Sequence, residues 1–404
     1  MTKKYNPDDY IYESFKTKIY PTKEQKKYFH KCFGISKLAY NWFLYTKENN
    51  YRNNIKKSFK QVVKDFSNLK NTIYPFLDSV NMKVYKVALE NANKAYENYF
   101  KNRAFFNHPK YKSKKENVKT FGSERVIVHS NNYMHKRILN GYNFYIGGPS
   151  NSQKRNGFFI KTSESIDHLK QDQLFKVVIS YDGNDYFASF EYKYLKPELK
   201  YNDHKNELVG IDLGLKIYST QSDGKIAIFP KKRIIYLEEK AKKFQKIMSK
   251  KIECYKKNHN GEYDKTGFYS NNYQKVKAKF NKCNTKIKNI RNDFLNKYTT
   301  WLCKNYKTIK IEDLNIRNML KNHKLAKAIS RSAWYTFRMM LNYKSEKYNN
   351  NIIVVDRFFA SSKICSKCGT KTKKMPLNIR IFICPKCGLI IDRDFNAAIN
   401  IANF

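Results

Sequence analysis

Two groups of residues have the types and spacing to do chemistry. Cys365, Cys368, Cys384 and Cys387 form two Cys-x2-Cys pairs with 15 residues between them, and Gly369 and Gly388 directly follow the second cysteine of each pair. Each pair can sit on a tight knuckle. Four thiolates then converge tetrahedrally on Zn²⁺ and leave no open position, so such an ion would be structural. A redox dithiol would not need two symmetric pairs. The other cysteines, Cys32, Cys254, Cys283 and Cys303, are scattered. They suggest no disulfide framework, as in a chain kept in a reducing cytoplasm.

The second group is acidic. Asp212 ends the apolar run Leu208-Val209-Gly210-Ile211, Glu312 ends Ile309-Lys310-Ile311, and Asp394 opens the segment Phe395-Asn396-Ala397-Ala398. Hydrolysis of a phosphodiester with Mg²⁺ requires several carboxylates converging on two hard cations about 4 Å apart. Without metal such carboxylates repel one another, so a cluster of them implies a cation. Taken singly, an acid at a strand end or helix start is usually a solvated cap. Asp223, Asp313 and Asp356 are read in that structural way, as a turn residue, a strand-end neighbour and a strand terminus.

Strands and helices must position these groups. Residues 12–19 alternate as a strand, and Thr22 with Gln25 reads as a capping box opening a helix. A helical pattern continues to about Phe106, with Val84, Ala88, Ala92, Ala95 and Tyr99 on one apolar face. The basic loop from His108 through Lys110 to Lys115 ends it. Residues 118–200 turn to strands, with a hairpin of Phe175–Ser180 and Asp185–Tyr192 around Tyr181-Asp182-Gly183-Asn184. The helices therefore read as an insertion into a β module.

From about Asn206 the pattern alternates. A buried strand through Asp212 is followed by a second strand and a turn at Ser222-Asp223-Gly224-Lys225. Two long helices come next. Tyr273, Val276, Phe280, Cys283, Ile287, Ile290 and Phe294 recur at spacings of 3 and 4, a coiled-coil-like seam for Leu237, Ala241, Phe244 and Met248. Cys283 lies on that seam and reads as core. A strand at 308–311, a helix through Trp334, Phe337 and Leu341, and a strand at 352–355 complete an α/β pattern.

Composition names the partner class. The 404 residues carry 80 Lys and Arg against 34 Asp and Glu, a formal charge of +46, with 32 Tyr and 28 Phe. A lysine-rich bias from an AT-rich genome would raise Lys without depressing Asp and Glu so far. A polyanion neutralises such a charge, and nucleic acid is the one expected. The start MTKKYNPDDY has no apolar signal stretch, and no run of about 18 apolar residues occurs. The expectation is a cytoplasmic protein, nucleoid-associated if prokaryotic, with no membrane partner.

The order of the motifs is more specific than any one of them. Gly210-Ile211-Asp212-Leu213-Gly214, Ile311-Glu312-Asp313-Leu314-Asn315, Ser361-Ser362-Lys363-x-Cys365-Ser366-x-Cys368-Gly369, Cys384-x2-Cys387-Gly388 and Asp392-Arg393-Asp394-Phe395-Asn396-Ala397-Ala398-x-Asn400-Ile401 follow in that sequence. This half of the chain resembles TnpB, the transposon-encoded relative of type V CRISPR effectors. Trp334, Leu341, Tyr343 and Lys344 match the helix that family places before the ribbon. Tyr20-Pro21-Thr22-x2-Gln25, Gly34, Tyr40-Asn41 and Lys110–Lys115 extend the likeness, more loosely, to the first half.

The resemblance implies a RuvC-like, RNase H-fold nuclease domain with an inserted four-cysteine zinc ribbon, beside a β-barrel and a helical lobe. It divides the chain into a wedge β-barrel (1–20 and 116–200) interrupted by a helical recognition lobe (21–115). A RuvC-like domain (201–359), a zinc ribbon (360–391) and a last RuvC helix (392–404) complete it. It implies Asp212, Glu312 and Asp394 as the Mg²⁺-binding catalytic triad, with Asp392 as the fallback third ligand. It also implies a guide RNA that pairs with target DNA beside a short adjacent motif, in a monomeric ribonucleoprotein. Three alternatives stay open: a nuclease-inactive RNA-guided DNA-binding protein, a compact type V CRISPR effector, and a eukaryotic or viral relative of TnpB. A strand-joining transposase is disfavoured by the ribbon followed by Asp-x-Asp-x-Asn-Ala-Ala.

Overall fold

The computed structural model describes residues 9–103, 106–113, 118–124, 126–128, 141–149, 157–195, 203–262, 269–372, 375–376 and 379–404. Lys114 and Lys115 of the basic loop lie outside them. The chain divides into two compact units, Met1–Leu195 and Lys196–Phe404.

In the first unit, β1 (Tyr10–Tyr20) leads into α1 (Lys23–Arg52), α2 (Phe59–Asn68) and α3 (Met82–Lys101), and strands resume only afterwards. The predicted capping box forms: Gln25 N–H donates to Thr22 Oγ1 (3.3 Å), and Thr22 N–H donates to Gln25 Oε1 (2.9 Å). Two orphan donors at the helix start are thereby satisfied. Ser58 and Gln61 repeat the device at α2. On α3 the buried face runs through Val84, Ala88, Ala92 and Tyr96, while Ala95 and Tyr99 are half-buried. Spacings of four on a helix of 3.6 residues per turn keep Tyr96 on the face longer than the expected switch at Ala95.

The strands β2 (Lys119–Ser123), β3 (Val126–Ile127), β4 (Asn143–Gly147), β5 (Gly157–Thr162), β6 (Leu174–Tyr181) and β7 (Tyr186–Leu195) join β1 in one antiparallel sheet, ordered β2-β6-β7-β1-β5-β4-β3. β1 is central, pairing with β7 from Tyr10↔Leu195 to Ile19↔Tyr186. The β6–β7 hairpin closes at Tyr181↔Tyr186. Asp182 Oδ1 accepts the N–H groups of Asn184 and Asp185 there. Phe29, Phe33, Phe121, Phe144 and Phe190 join helices and sheet in one core.

The second unit is built on a five-stranded sheet ordered β10-β9-β8-β11-β12, from β8 (Asn206–Leu213), β9 (Ser219–Gln221), β10 (Ile226–Ala227), β11 (Tyr306–Glu312) and β12 (Asn351–Val355). β8, β11 and β12 are parallel, and β9 and β10 are antiparallel to their neighbours. Between β10 and β11 run α4 (Lys231–Asn258) and α5 (Asn271–Asn305). The expected seam is buried at Tyr273, Cys283 and Ile287 on α5 and at Leu237 and Ala241 on α4, and Ile287 shares a core with Leu237. Two short helices, α6 (Ile316–Met319) and α7 (His323–Ser332), lead to α8 (Trp334–Tyr348), which buries Trp334, Phe337 and Leu341. A two-stranded ribbon, β13 (Ile381–Ile383) with β14 (Ile390–Asp392), precedes the last helix α9 (Arg393–Asn403). No helix among the described residues is long and apolar enough to cross a membrane.

Candidate active site and four-cysteine metal centre

β8 and β11 align Ile211 with Ile311, so Asp212 and Glu312 occupy equivalent positions at the C-terminal ends of adjacent parallel strands. Neighbouring strands lie about 4.8 Å apart, and residues in register point to one face. The face is identified by Gly210, two residues before Asp212. A Cβ on Gly210 would lie 2.3 Å from Ala398 O and 2.4 Å from Ala402 N, so α9 packs directly on this side of β8. Lys310, the partner of Gly210 on β11, donates from Nζ to Ala402 O (2.8 Å).

Asp394 sits in the first turn of that helix, where the backbone dipole favours an acid. Its electrostatic reach to Asp212 is direct. Burial, then the Glu312 carboxylate, then Asp394 push the Asp212 carboxyl up to about 8, against the pull of Arg393. Burial also raises Glu312, offset by a hydrogen bond from Ser361 Oγ. Asp394 pairs with Arg393 Nη2 (3.2 Å) and Arg380 Nη1 (3.3 Å). Asp212 and Glu312 thus lie side by side at strand ends, and Asp394 lies on the helix packed against β8, within electrostatic reach of Asp212. Asp392 also raises Asp212, less than Asp394 does, and its Oδ1 accepts Asp394 N–H (2.9 Å) and Phe395 N–H (3.0 Å) as an N-cap.

The three acids read as structural have partners elsewhere. Asp223 joins Lys225 and Tyr306 at its turn. Asp313 pairs with Arg338 and Arg357. Asp356 Oδ1 accepts Phe358 N–H (2.7 Å).

The four cysteines form a tighter group. Their sulfurs lie within 4.8 Å of one another, and they are the only set of three or more candidate ligands this close among the described residues. Cys365 Sγ is 3.6 Å from Cys387 Sγ, and Cys368 Sγ is 3.5 Å from Cys384 Sγ. A tetrahedral ion with Zn–S bonds of about 2.3 Å separates its sulfurs by about 3.8 Å. The cluster is therefore of a size to hold zinc. Gly369 and Gly388 have φ of +72° and +70°, the left-handed turn each knuckle requires. Gly369 N–H donates to Cys365 O (2.9 Å) and Gly388 N–H to Cys384 O (3.1 Å), closing the two knuckles alike.

Asn396 and Asn400 belong to the motif Asp392–Ile401, and their task is visible only in the structure. Both are buried on α9. Asn396 Nδ2 donates to Ile364 O (2.7 Å) and its Oδ1 accepts Ser366 N–H (3.0 Å), while Asn400 Nδ2 donates to Ser361 O (2.7 Å). These bonds tie the first knuckle to the helix that carries Asp394. Two asparagines spaced by four among the apolar residues of α9 are the signal in the sequence. Ser361, which holds Glu312, had no comparable one.

Three family models match the chain. They are described as "Helix-turn-helix domain" over residues 11–56, "Probable transposase" over 189–323 and "Cas12f1-like, TNB domain" over 334–401. A Streptomyces pristinaespiralis protein named as a candidate RNA-guided DNA endonuclease is 31% identical over 97% of this chain and 89% of its own length. A TnpB-like protein of Acanthamoeba polyphaga mimivirus is 29% identical over 56% of this chain and 42% of its own. Among solved structures, Cas12f1 in a complex with sgRNA and target DNA shares the fold. It aligns with a TM-score of 0.54 and 13% identity over 95% of this chain and 83% of its own.

Proposed function

This chain belongs to the TnpB family, and we propose that it is an RNA-guided DNA endonuclease whose catalytic carboxylates are Asp212, Glu312 and Asp394. The observation that supports this reading is the register of Asp212 with Glu312 and the packing on β8 of the helix that carries Asp394, in a chain that matches its relative nearly end to end. On this reading the five-stranded sheet with α9 is a RuvC-like, RNase H-fold core. The sheet of the first unit is the wedge, and its inserted helices are the recognition lobe.

The donor set fits Mg²⁺: three carboxylates offer hard oxygens, and burial, with repulsion from Glu312 and Asp394, holds Asp212 up in a way a divalent cation would oppose. Bound Mg²⁺ would supply Lewis acidity and charge neutralisation to phosphodiester hydrolysis. The chain's own part is to hold the acids. Ser361 fixes one oxygen of Glu312, and Arg393 and Arg380 hold Asp394 in the first turn of α9. Asp392, engaged as the cap of that turn, is left with the lesser claim to be the third ligand.

The four cysteines would hold a structural Zn²⁺. Its task follows from connectivity: β14 ends at Asp392 and α9 begins at Arg393, so the ribbon delivers Asp394 to the sheet. The charge of +46 suits a guide RNA and a target DNA, with the protein following phosphates and base pairing reading sequence.

The test is the RNA. Protein purified from cells that carry its native locus should hold a discrete RNA. With it, a DNA duplex complementary to that RNA should bind and be cut, while a scrambled duplex is left intact at near-physiological salt. Equal treatment of the two duplexes would refute the proposal.

A further inference from the structure

We infer that Phe358, with Arg357 and Arg338, forms a nucleotide platform at the rim of the carboxylate site. The Phe358 ring would stack on a base of the strand being cut, and the guanidinium groups would hold an adjacent phosphate. The inference deepens the nuclease reading and rests on it.

The platform begins beside the acids. Val355, the last residue of β12, is the register partner of Glu312, and Phe358 follows three residues later, at most about 10 Å of extended chain away. The segment then returns to the same place, because Ser361 Oγ donates to Glu312. Phe358 is 89% exposed, more than any other large hydrophobic side chain among the described residues.

An exposed ring is unremarkable on a loose loop, but this loop is held at several points. Asp356 Oδ1 accepts Phe358 N–H (2.7 Å), and Phe359 N–H donates to Asp356 O (3.1 Å), which closes a turn with Phe358 outward. Phe359 packs edge-on against Phe404, with centroids 4.9 Å apart. Arg357 is anchored on the Asp313 carboxylate by Nη2, and Arg338 donates from Nη1 to the same carboxylate (2.8 Å). The packing of half-buried Phe359 on Phe404 and the display of Phe358 are thus fixed together.

Asp313 holds Arg357 through Nε and Nη2 and Arg338 through Nη1, leaving guanidinium nitrogens on both directed elsewhere. Their side chains are 46% and 42% exposed. The Asp313 and Asp356 carboxylates balance the two guanidinium charges, and the guanidinium nitrogens that Asp313 does not engage are the donors a phosphate would use. An exposed ring on a tethered turn, with guanidinium donors on the preceding residue and on α8, suits an unpaired nucleotide, whose base has a π-face and whose phosphate is anionic. A protein ligand would bring further apolar surface, and the cluster offers only one ring.

The test uses guide-loaded protein and a matched duplex under single-turnover conditions, after the cut position has been mapped. Phe358→Ala should slow cleavage between about 5- and 150-fold, the range that base–aromatic stacking supplies. Phe358→Trp should restore it, and guide-dependent binding of the duplex should be unchanged in both variants. An abasic scan around the cut supplies a reading that a merely structural residue would not move. At one flanking position the abasic site should slow the wild type by the same factor and leave Phe358→Ala no slower, because ring and base act as a pair. Wild-type speed in Phe358→Ala, or additive losses at every abasic position, would overturn the platform while leaving the nuclease reading intact. Wild-type protein that binds the matched duplex and does not cut it would overturn both.

Discussion

Gly210→Ala should disconnect the carboxylates without touching any of them. The added methyl would lie 2.3 Å from Ala398 O, 2.4 Å from Ala402 N and 2.9 Å from Ala402 Cα. Real Cβ contacts do not fall below 3.0 Å, so the gap between β8 and α9 must open by about 0.7 Å. Every opposing atom is backbone of α9, so no side chain can swing away, and the helix itself must move. Overpacking of this kind costs about 1–3 kcal/mol. For a unit of some 200 residues that lowers the melting temperature by a few degrees and leaves it folded. The functional loss should be larger than the stability loss. Asp394 rides on α9 and Asp212 on β8, and a misplacement near 1 Å at a reacting centre can cost about a hundredfold. The assay is single-turnover cleavage of a guide-matched duplex beside thermal melting of the same preparation. A folded Gly210→Ala protein that cuts within twofold of wild type would refute the claim that β8–α9 packing sets the site.

Two further predictions concern the metals. The purified chain should contain one zinc, and Cys384→Ser should abolish it and open residues 364–392 to protease, because the closed thiolate shell makes binding energy into local folding energy; folded protein without zinc, by elemental analysis, would contradict this. Without Mg²⁺ the Asp212 carboxyl titrates near 8 when folded and near 3.9 when unfolded, so the folded state keeps a proton the unfolded chain has released, and stability falls as pH rises from about 4 to 8. Asp212→Asn should remove that part of the slope, and Mg²⁺ should flatten it in the wild type; parallel melting-temperature curves in magnesium-free buffer would sink the assignment.

Local features of the fold were legible where local physics decides them. The capping box at Thr22 and Gln25, the Asp182-Gly183-Asn184 turn and the α4–α5 seam all depend on residues a few positions apart, and each is where the pattern placed it. Pairings across long separations were not. Nothing in the alternation of residues 12–19 shows that β1 lies between β7 and β5, some 140 or more residues away. The buried Lys344 illustrates the same limit. Its Nζ donates to Asn296 O, Thr299 Oγ1 and Thr300 Oγ1, each at 2.8 Å, acceptors supplied by α5 that no reading of α8 alone could anticipate.

The site followed the same rule. Four cysteines announce themselves because two knuckles and two glycines repeat one local design. The acids do not, since the register of β8 with β11 and the packing of α9 on Gly210 bring them together only in the folded chain. Residue type and position mark these three as candidates, and the resemblance singles them out as a triad. The residues that hold them, Ser361, Arg380 and Arg393, came from the structure.

The claim that these acids form one catalytic unit is tested most directly by cleavage of a guide-matched duplex in Mg²⁺. Wild type is compared with Asp212→Ala, Glu312→Ala, Asp394→Ala and the triple variant, each loaded with the native RNA. Each single loss should lower the cleavage rate by orders of magnitude and come close to the triple loss, because residues that act as a unit are not additive. Binding of the matched duplex should survive in all four. Full cleavage by Asp394→Ala would move the third ligand to Asp392, and full cleavage by Asp212→Ala or Glu312→Ala would contradict the account.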